Sequence, residues 1–346
     1  MMYAAVINNY GDESCIDIDE TISIPEPRPN QVLVKIEASS VNPIDLMRRE
    51  GYGRTIFEKQ RRINFPWIIG SDFSGHVIKK GNKVSRFQEG DEVWGCTASP
   101  GSGTYAEYSV INQEEIDLKP KNLSHEEAAS LPYVTLTTWS AIIRWAGLRP
   151  EDLEGKNLFI QGGAGGVGTS AIQLFSHWGC KVTTTCSSTN IELLKSIGAE
   201  TVIDYEVNNF HDILKDYDIA YDLLGDSVLE NSIDKCCNIL KNESSSHYIT
   251  LTHPLINTVD DKGILFGVPQ ALLLRQQQKK KHKPINVHWS IYRPSLSGLQ
   301  ELTFLVENGI IKPVIDSIYS ISDISKAHKK VATRHGSGKV VIKNDL

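Results

Sequence analysis

The sequence predicts an α/β chain in two parts: a β-rich unit built from both chain ends, and a doubly wound parallel sheet between them. Three observations predict it. Over residues 1–125, short runs alternate apolar and polar positions and are broken by Gly and Pro. From residue 155 onward, short apolar runs alternate with stretches of helical periodicity. A glycine-rich loop, Gly162-Gly163-Ala164-Gly165-Gly166-Val167-Gly168, separates the first of those runs from the stretch that follows it. The expected division is 1–125, 126–285 and 286–346, with the last part returning to the first unit.

Tyr3-Ala4-Ala5-Val6-Ile7 reads as the opening strand. Residues 32–36 alternate after the turn Pro27-Arg28-Pro29-Asn30, and further strands are expected at 75–79, 92–96 and 105–110. Pro100-Gly101-Ser102-Gly103 reads as a turn between two of them. Ser124-His125-Glu126-Glu127 has capping-box spacing and predicts a helix start. A second helix is expected over 133–146, behind Pro132. Strands at 157–161, 181–186, 201–204, 218–223 and 247–251 then alternate with helices at 167–178, 191–197 and 228–240, as a parallel sheet covered on both faces requires. The C-terminal part predicts a helix at 295–308, a strand at 314–319, a helix at 324–332 and a strand at 339–342.

Composition excludes several function classes. The 346 residues carry a formal charge of −6, which argues against a nucleic-acid partner, since that needs a basic face. No apolar run approaches the roughly 18 residues of a membrane helix. The six cysteines form no CxxC pair and no ligand-spaced cluster, so neither a disulfide framework nor a structural zinc lobe is expected. Cys236-Cys237 read as packed helix residues. Acids (Asp12, Glu13, Asp17, Asp19, Glu20, Glu26) precede the first base, Arg28, the reverse of a transit peptide. The chain as read therefore shows no presequence and is expected in the cytoplasm if complete. Residues 275–283 hold five full positive charges. Two readings stand open for them: a solvated loop or helix end, and peripheral contact with an anionic surface or acidic partner.

Gly163, Gly165 and Gly168 fit G-x-G-x-x-G between a predicted strand and helix, the context in which that spacing implies a dinucleotide. One glycine makes the tight turn, one lets backbone approach pyrophosphate, and one lets helix and strand pack closely. The helix start then presents free N–H groups to phosphate. The second strand ends Cys186-Ser187-Ser188 with no acid, and Glu192 is the first that follows. An acid there normally binds the ribose hydroxyls of NAD. Its absence admits the 2′-phosphate of NADPH, with Ser187, Lys195 and Tyr205 as candidate donors.

These residues and several others resemble the zinc-independent medium-chain dehydrogenase/reductases, the quinone oxidoreductase family. Val41-Asn42-Pro43-Ile44-Asp45, Gly70-Ser71-Asp72-Phe73-Ser74-Gly75, Gly90-Asp91-Glu92-Val93-Trp94 and Gly103-Thr104-Tyr105-Ala106-Glu107-Tyr108 carry the likeness, which runs nearly the whole chain. Met47-Arg48-Arg49-Glu50-Gly51-Tyr52-Gly53 and Val202-Ile203-Asp204-Tyr205 place it near a mitochondrial, NADPH-dependent branch. The resemblance implies a GroES-like catalytic domain and a Rossmann domain. It also implies NADPH-dependent quinone reduction linked to coenzyme Q. It puts Ala164, Gly166 and Val167 at the phosphates, and Ser187 and Tyr205 at the 2′-phosphate. Leu251 falls along the nicotinamide half, and His335, Gly336 and Ser337 in a C-terminal loop. It puts Asn42 and Tyr52 at the acceptor and Thr137 beside the nicotinamide ribose.

Two departures stand out. Asp222 is followed by Leu223 where the family often has Asn, and Gly336-Ser337 replaces a common basic residue. Gly75-His76-Val77 is not the Gly-His-Glu zinc signature, so no metal is expected and His76 reads as a strand residue. Relatives often pair through the Rossmann domain, so a homodimer is allowed. The reading is an NADPH-dependent reductase of a quinone or another small electrophile. An enoyl or alkenal reductase is the alternative within the class, and a cofactor-binding interaction protein without turnover is the alternative outside it.

Overall fold

The computed structural model describes residues 1–60, 63–97 and 103–346. In chain order these form β1 (Met2–Ile7), β2 (Ile16–Ile22), β3 (Gln31–Val41), α1 (Pro43–Arg49), α2 (Arg54–Lys59), β4 (Trp67–Ile68), β5 (Asp72–Lys80), β6 (Glu92–Cys96), β7 (Tyr108–Asn112) and β8 (Ile116–Leu118). Next come α3 (His125–Ala128), α4 (Pro132–Trp139), β9 (Asn157–Gln161), α5 (Gly166–His177), β10 (Lys181–Cys186), α6 (Ile191–Ser196), β11 (Thr201–Asp204) and α7 (Phe210–Ile213). The chain continues through β12 (Ile219–Asp222), α8 (Ser232–Asn238), β13 (His247–Thr250), α9 (Leu255–Lys281) and β14 (Asn286–Trp289). It closes with α10 (Leu296–Glu307), β15 (Ile315–Ser320), α11 (Ile324–Ala332) and β16 (Lys339–Lys343). Of the expected turn at Pro100-Gly101-Ser102-Gly103, the first three residues lie outside the described ones.

Two compact units result: Met1–Leu136 with Arg293–Leu346, and Thr137–Tyr292. Both boundaries fall later than 125/126 and 285/286. The first does so because α3 packs on β3, β5 and β16 of the first unit. The second does so because β14 adds a further parallel strand to the central sheet.

The first unit holds a three-stranded sheet, β2-β1-β4, and a seven-stranded one in the order β15-β16-β3-β5-β6-β8, with β7 pairing on β3. Val32, Val34 and Ile36 of β3 point into a buried cluster with Phe73, Val93, Ile111 and Ile116, the alternation that the sequence shows at 32–36. The Ser124 box forms as expected: the Glu127 N–H donates to Ser124 Oγ at 3.2 Å and the Ser124 N–H to Glu127 Oε2 at 2.9 Å. β16, the last strand, runs antiparallel to β3 from the other end of the chain.

The second unit is a six-stranded parallel sheet in the order β11-β10-β9-β12-β13-β14. Both faces are covered. Phe159, Ala220, Tyr248 and Val287 share one buried cluster with Phe210 and Cys236. Leu158 and Ile160, the alternate positions of β9, are fully buried too.

Two expected helices differ, and one helix was not expected. The segment 133–146 is α4 followed by a π-helical turn, Ser140–Ala146, closed by Gly147 at φ +70°. The segment 228–240 shortens to α8, because Asn231 takes a left-handed φ of 57° just before it. α9, which sequence periodicity did not indicate, is interrupted at Gly263 (φ 73°, ψ 167°) and contains Pro269. Strand 105–110 shifts to β7, and Tyr105 instead buries its ring.

Candidate functional site

The order of the central sheet reverses between β9 and β12, and the crevice beyond the carboxyl ends of strands at such a reversal is where doubly wound sheets bind ligands. Gly162 to Gly168 lie there, between β9 and α5. The work is divided differently from the expectation. The left-handed turn belongs to Gly162 (φ +90°), outside the G-x-G-x-x-G triplet. Gly163 packs against Thr184 of β10, where an added Cβ would overlap the Thr184 side chain. Gly168 packs against the loop backbone, where a Cβ would lie 2.5 Å from the Gly163 carbonyl oxygen. Gly165 faces open space, with nothing within 4 Å of an added Cβ. It is the N-cap of α5 and supplies no side-chain cap.

The first turn of this twelve-residue helix, with Gly166 and Val167, therefore presents uncapped N–H groups and the positive end of the dipole beside partly buried Ala164. An anionic pyrophosphate fits that cradle, in the open space that the missing side chain of Gly165 leaves. The loop is anchored from behind, where the Gly162 N–H donates to Thr185 Oγ1 at 3.1 Å and the Gly163 N–H to the Thr185 carbonyl at 3.0 Å.

Ser187 and Tyr205 sit one residue past the paired ends of β10 and β11. Cys186 is in register with Asp204, and the Tyr205 N–H donates to the Cys186 carbonyl at 3.1 Å. Tyr205 is half exposed, and Ser187 Oγ lies 3.1 Å from Thr189 Oγ1 and accepts from Asn190 Nδ2 at 3.2 Å. Three carboxylates neighbour this edge, and Glu206, beside Tyr205, is exposed. Glu192 lies 3.5 Å from Lys195 Nζ on α6, and Asp204 accepts the Glu206 N–H at 2.9 Å. Lys195, paired and exposed, stands one helix further on. Cys186 is buried beneath this edge, and burial followed by the Asp204 charge pushes its thiol up to about 11. It is a neutral packing residue.

On the other side of the switch point, Leu223 and Leu251 follow β12 and β13. The Leu223 N–H donates to Gln161 and the Leu251 N–H to Asp222, at 3.4 and 3.3 Å. Between them lies a carboxylate that the sequence reading named only as the neighbour of Leu223. Asp222 is fully buried and accepts the Leu224 and Gly225 N–H groups at 3.0 and 2.8 Å, Ser232 Oγ at 2.7 Å and Tyr248 Oη at 2.8 Å. It shapes the loop after β12 from inside. Cys236 donates to Gln161 Oε1 at 3.3 Å, and burial first of all raises both vicinal thiols, Cys237 to about 12. The pair is protonated core material on α8.

In the first unit, Asn42 is the N-cap of α1 and 1% exposed. Both ends of its amide are held: Nδ2 donates to Asp72 Oδ2 at 2.8 Å, and Lys339 Nζ donates to Oδ1 at 2.5 Å. Asp72 also accepts Ser40 Oγ at 2.7 Å and the Tyr133 N–H at 2.7 Å, with Lys339 Nζ 3.3 Å away. Asp45 accepts the Asn42 N–H at 2.9 Å, and burial raises its pKa against the opposing effect of Arg48. The signal for this knot was the Asn-Pro-x-Asp spacing. Nothing in sequence tied it to Lys339, nearly 300 positions away.

Tyr52 is partly buried in the turn between α1 and α2. Thr137 is buried at the start of the second unit. His335 and Gly336 are exposed and Ser337 partly so, in the loop between α11 and β16 of the first unit, where the Ser337 N–H donates to Asp316 Oδ1 at 3.0 Å. The structure thus brings Gly163–Gly168, Ser187, Tyr205 and Leu251 to one sheet edge. Asn42, Tyr52, His335, Gly336 and Ser337 belong to the other unit.

Among the described residues, the metal-spaced grouping of His, Cys, Asp or Glu is His76, Glu92 and His125. It contains no cysteine and shares no residue with the Asn42 knot.

A parallel sheet with a glycine-lined, uncapped helix start at its switch point, in a chain whose other unit is β-rich, has the form of a dinucleotide-binding protein. The alcohol dehydrogenase GroES-like domain family matches residues 28–121, and the zinc-binding dehydrogenase family matches residues 197–342. The chain belongs to the medium-chain dehydrogenase/reductase family. It is similar to the mitochondrial NAD(P)H oxidoreductase RTN4IP1 of Mus musculus, at 37% identity over 99% of this chain and 89% of that one. It is 31% identical to the 2-methylene-furan-3-one reductase of Solanum lycopersicum, over 99% of this chain and 79% of that protein. The quinone oxidoreductase structure from Coxiella burnetii aligns with a TM-score of 0.81 and 30% identity, covering 99% of each chain. The chain is accordingly an NAD(P)H-dependent reductase of this family.

Proposed function

We propose that this protein is an NADPH-preferring reductase whose acceptor is a quinone, transferring hydride without a catalytic metal and serving coenzyme Q metabolism in mitochondria. The observation that carries the coenzyme preference is the edge at Ser187 and Tyr205. Two hydroxyl groups stand there, and the end of β10, where NAD-binding sheets carry an acid, is Cys186-Ser187. A 2′-phosphate meets donors at that position in place of a carboxylate. The names of the mouse and Coxiella relatives support reduction and quinone as acceptor. The name of the tomato relative supports an enone as the second reading.

Bound NADPH supplies the hydride. The residues of the chain hold and orient it. The α5 start and the loop from Gly163 to Gly168 hold pyrophosphate, Ser187 and Tyr205 the 2′-phosphate, and Leu251 lines the nicotinamide half. We assign Thr137 to the ribose and Tyr52 to a hydrogen bond toward the acceptor oxygen, where developing negative charge is stabilised. Asn42 acts by position, through Asp72 and Lys339. The loop His335-Gly336-Ser337 closes the cofactor set. Lys195 contributes at most long-range charge. In this reading residues 275–283 are a solvated helix end, since Lys281 Nζ donates to Asp234 at 2.6 Å, and two chains pair through the parallel-sheet unit.

The double variant Ser187→Ala/Tyr205→Phe tests the assignment. The KM for NADPH is expected to rise about tenfold or more, as for loss of hydrogen bonds to a charged group, while the KM for NADH stays within about twofold. Equal changes for both coenzymes would remove these residues from the 2′-phosphate.

A further inference from the structure

Three side chains that the cofactor and acceptor readings leave unused meet on the large antiparallel sheet of the first unit. β5 and β6 pair with His76 directly opposite Glu92. His125 opens α3, and its ring centroid lies 4.9 Å from that of His76. The ligand atoms of the three residues all lie within 4.8 Å of one another. Glu37 of β3 borders them, with Oε1 3.8 Å from His76 Nε2. The imidazoles are partly buried and Glu92 is exposed.

Behind His125, Ser74 Oγ lies 2.8 Å from Nδ1 and 3.3 Å from the Val93 carbonyl. When the Ser74 hydrogen goes to Val93, a neutral His125 donates from Nδ1 to Ser74 and offers the Nε2 lone pair on the side of Glu92 Oε1, 3.6 Å away. A bound cation selects that tautomer. Histidines that bind metals are held in this way, with the second ring nitrogen donating to a fixed acceptor. Lys119 Nζ lies 3.3 Å from the other carboxylate oxygen of Glu92, which leaves Oε1 for a ligand. With Glu37 and Glu92 ionised, Lys119 cancels one of their two charges, and a net negative charge remains.

We propose that His76, His125 and Glu92, with Glu37 at the rim, bind one divalent transition-metal ion of the zinc type. Two imidazole nitrogens and a carboxylate oxygen suit that class, with water or Glu37 completing four ligands. Metal–ligand distances of about 2.0–2.2 Å require the ligand atoms to close up by roughly an ångström. The exposed Glu92 side chain and the partly exposed His76 can do this by rotation. No residue of the site is assigned to cofactor or acceptor, and the ion clips β5, β6 and α3 together.

The test uses the full chain without a histidine tag, stripped with a chelator and titrated with CoCl2 and then ZnCl2 at mildly alkaline pH. One cobalt ion per chain is expected, with visible ligand-field absorption, no thiolate charge-transfer band, and displacement by zinc. His76→Gln and Glu92→Gln should each weaken binding about tenfold or more, and Ser74→Ala, which removes no ligand, about tenfold. Unfolding in chelator shows that each variant remains folded. A thiolate band would place the metal on cysteine and overturn the proposal. So would absence of binding at excess cobalt, or affinity unchanged in His76→Gln and Glu92→Gln, which would leave a His125–Glu92 ion pair only.

Discussion

Gly168→Ala is expected to abolish useful dinucleotide binding, raising the Kd for NADPH roughly 100-fold or more, equivalent to about 3 kcal/mol. The methyl group has no room. It would lie 2.5 Å from the Gly163 carbonyl oxygen and 2.6 Å from the Gly163 carbonyl carbon, and backbone cannot swing aside as a side chain can. Relief comes only by moving α5 away from the loop, which shifts the uncapped N–H groups from the place where pyrophosphate would sit. Overpacking of this kind also costs about 1–3 kcal/mol of stability. Quenching of protein fluorescence by NADPH reads the affinity, and urea unfolding reads the stability. Gly165→Ala separates the two effects. Its Cβ meets no protein atom, and at φ −71° the backbone accepts alanine. Lost affinity there reports the ligand itself. Unchanged NADPH affinity in Gly168→Ala would remove the loop from the cofactor site.

Asp72→Ala should produce the largest loss of stability in the first unit. Asp72 is fully buried, and it balances the ammonium of Lys339, which is 4% exposed. It also accepts from Asn42, Ser40 and the Tyr133 N–H. Removing one partner of a buried pair leaves the other charge uncompensated, at about 3–5 kcal/mol. A fall of that size in unfolding free energy is expected in urea. Asp72→Asn keeps the shape and one acceptor and should cost less. A loss under about 1 kcal/mol in Asp72→Ala would mean that the knot is solvated and Lys339 is not held by it.

Much of the central sheet was legible because its strands are short, apolar and bounded by Gly or polar turns. The strand runs at 157–161, 181–186 and 201–204 coincide with β9, β10 and β11. The glycine loop was legible because close packing leaves only one residue type at Gly163 and Gly168. The turn glycine, Gly162, was not singled out, since spacing alone does not say which neighbour takes positive φ. α9 was missed for a physical reason. It exposes Leu265 and Phe266 at 77% and 69%, buries only Val259, Gly267 and Ala271, and carries Gly263 and Pro269, so no apolar stripe marks it. Contacts made by strand pairing were also invisible. His76 meets Glu92 only because β5 and β6 align in that register, and Lys339 meets Asn42 only because β16 returns to β3.

Reduction of a quinone at the expense of NADPH is tested most directly by the oxidation of NADPH and of NADH by the purified protein, with a short-chain ubiquinone analogue as acceptor. Turnover with NADPH is expected, with a kcat/KM for NADPH at least about tenfold above that for NADH, the discrimination that roughly 1.4 kcal/mol at the 2′-phosphate supplies. A preference for NADH, or tight NADPH binding with no turnover on any quinone, would contradict it.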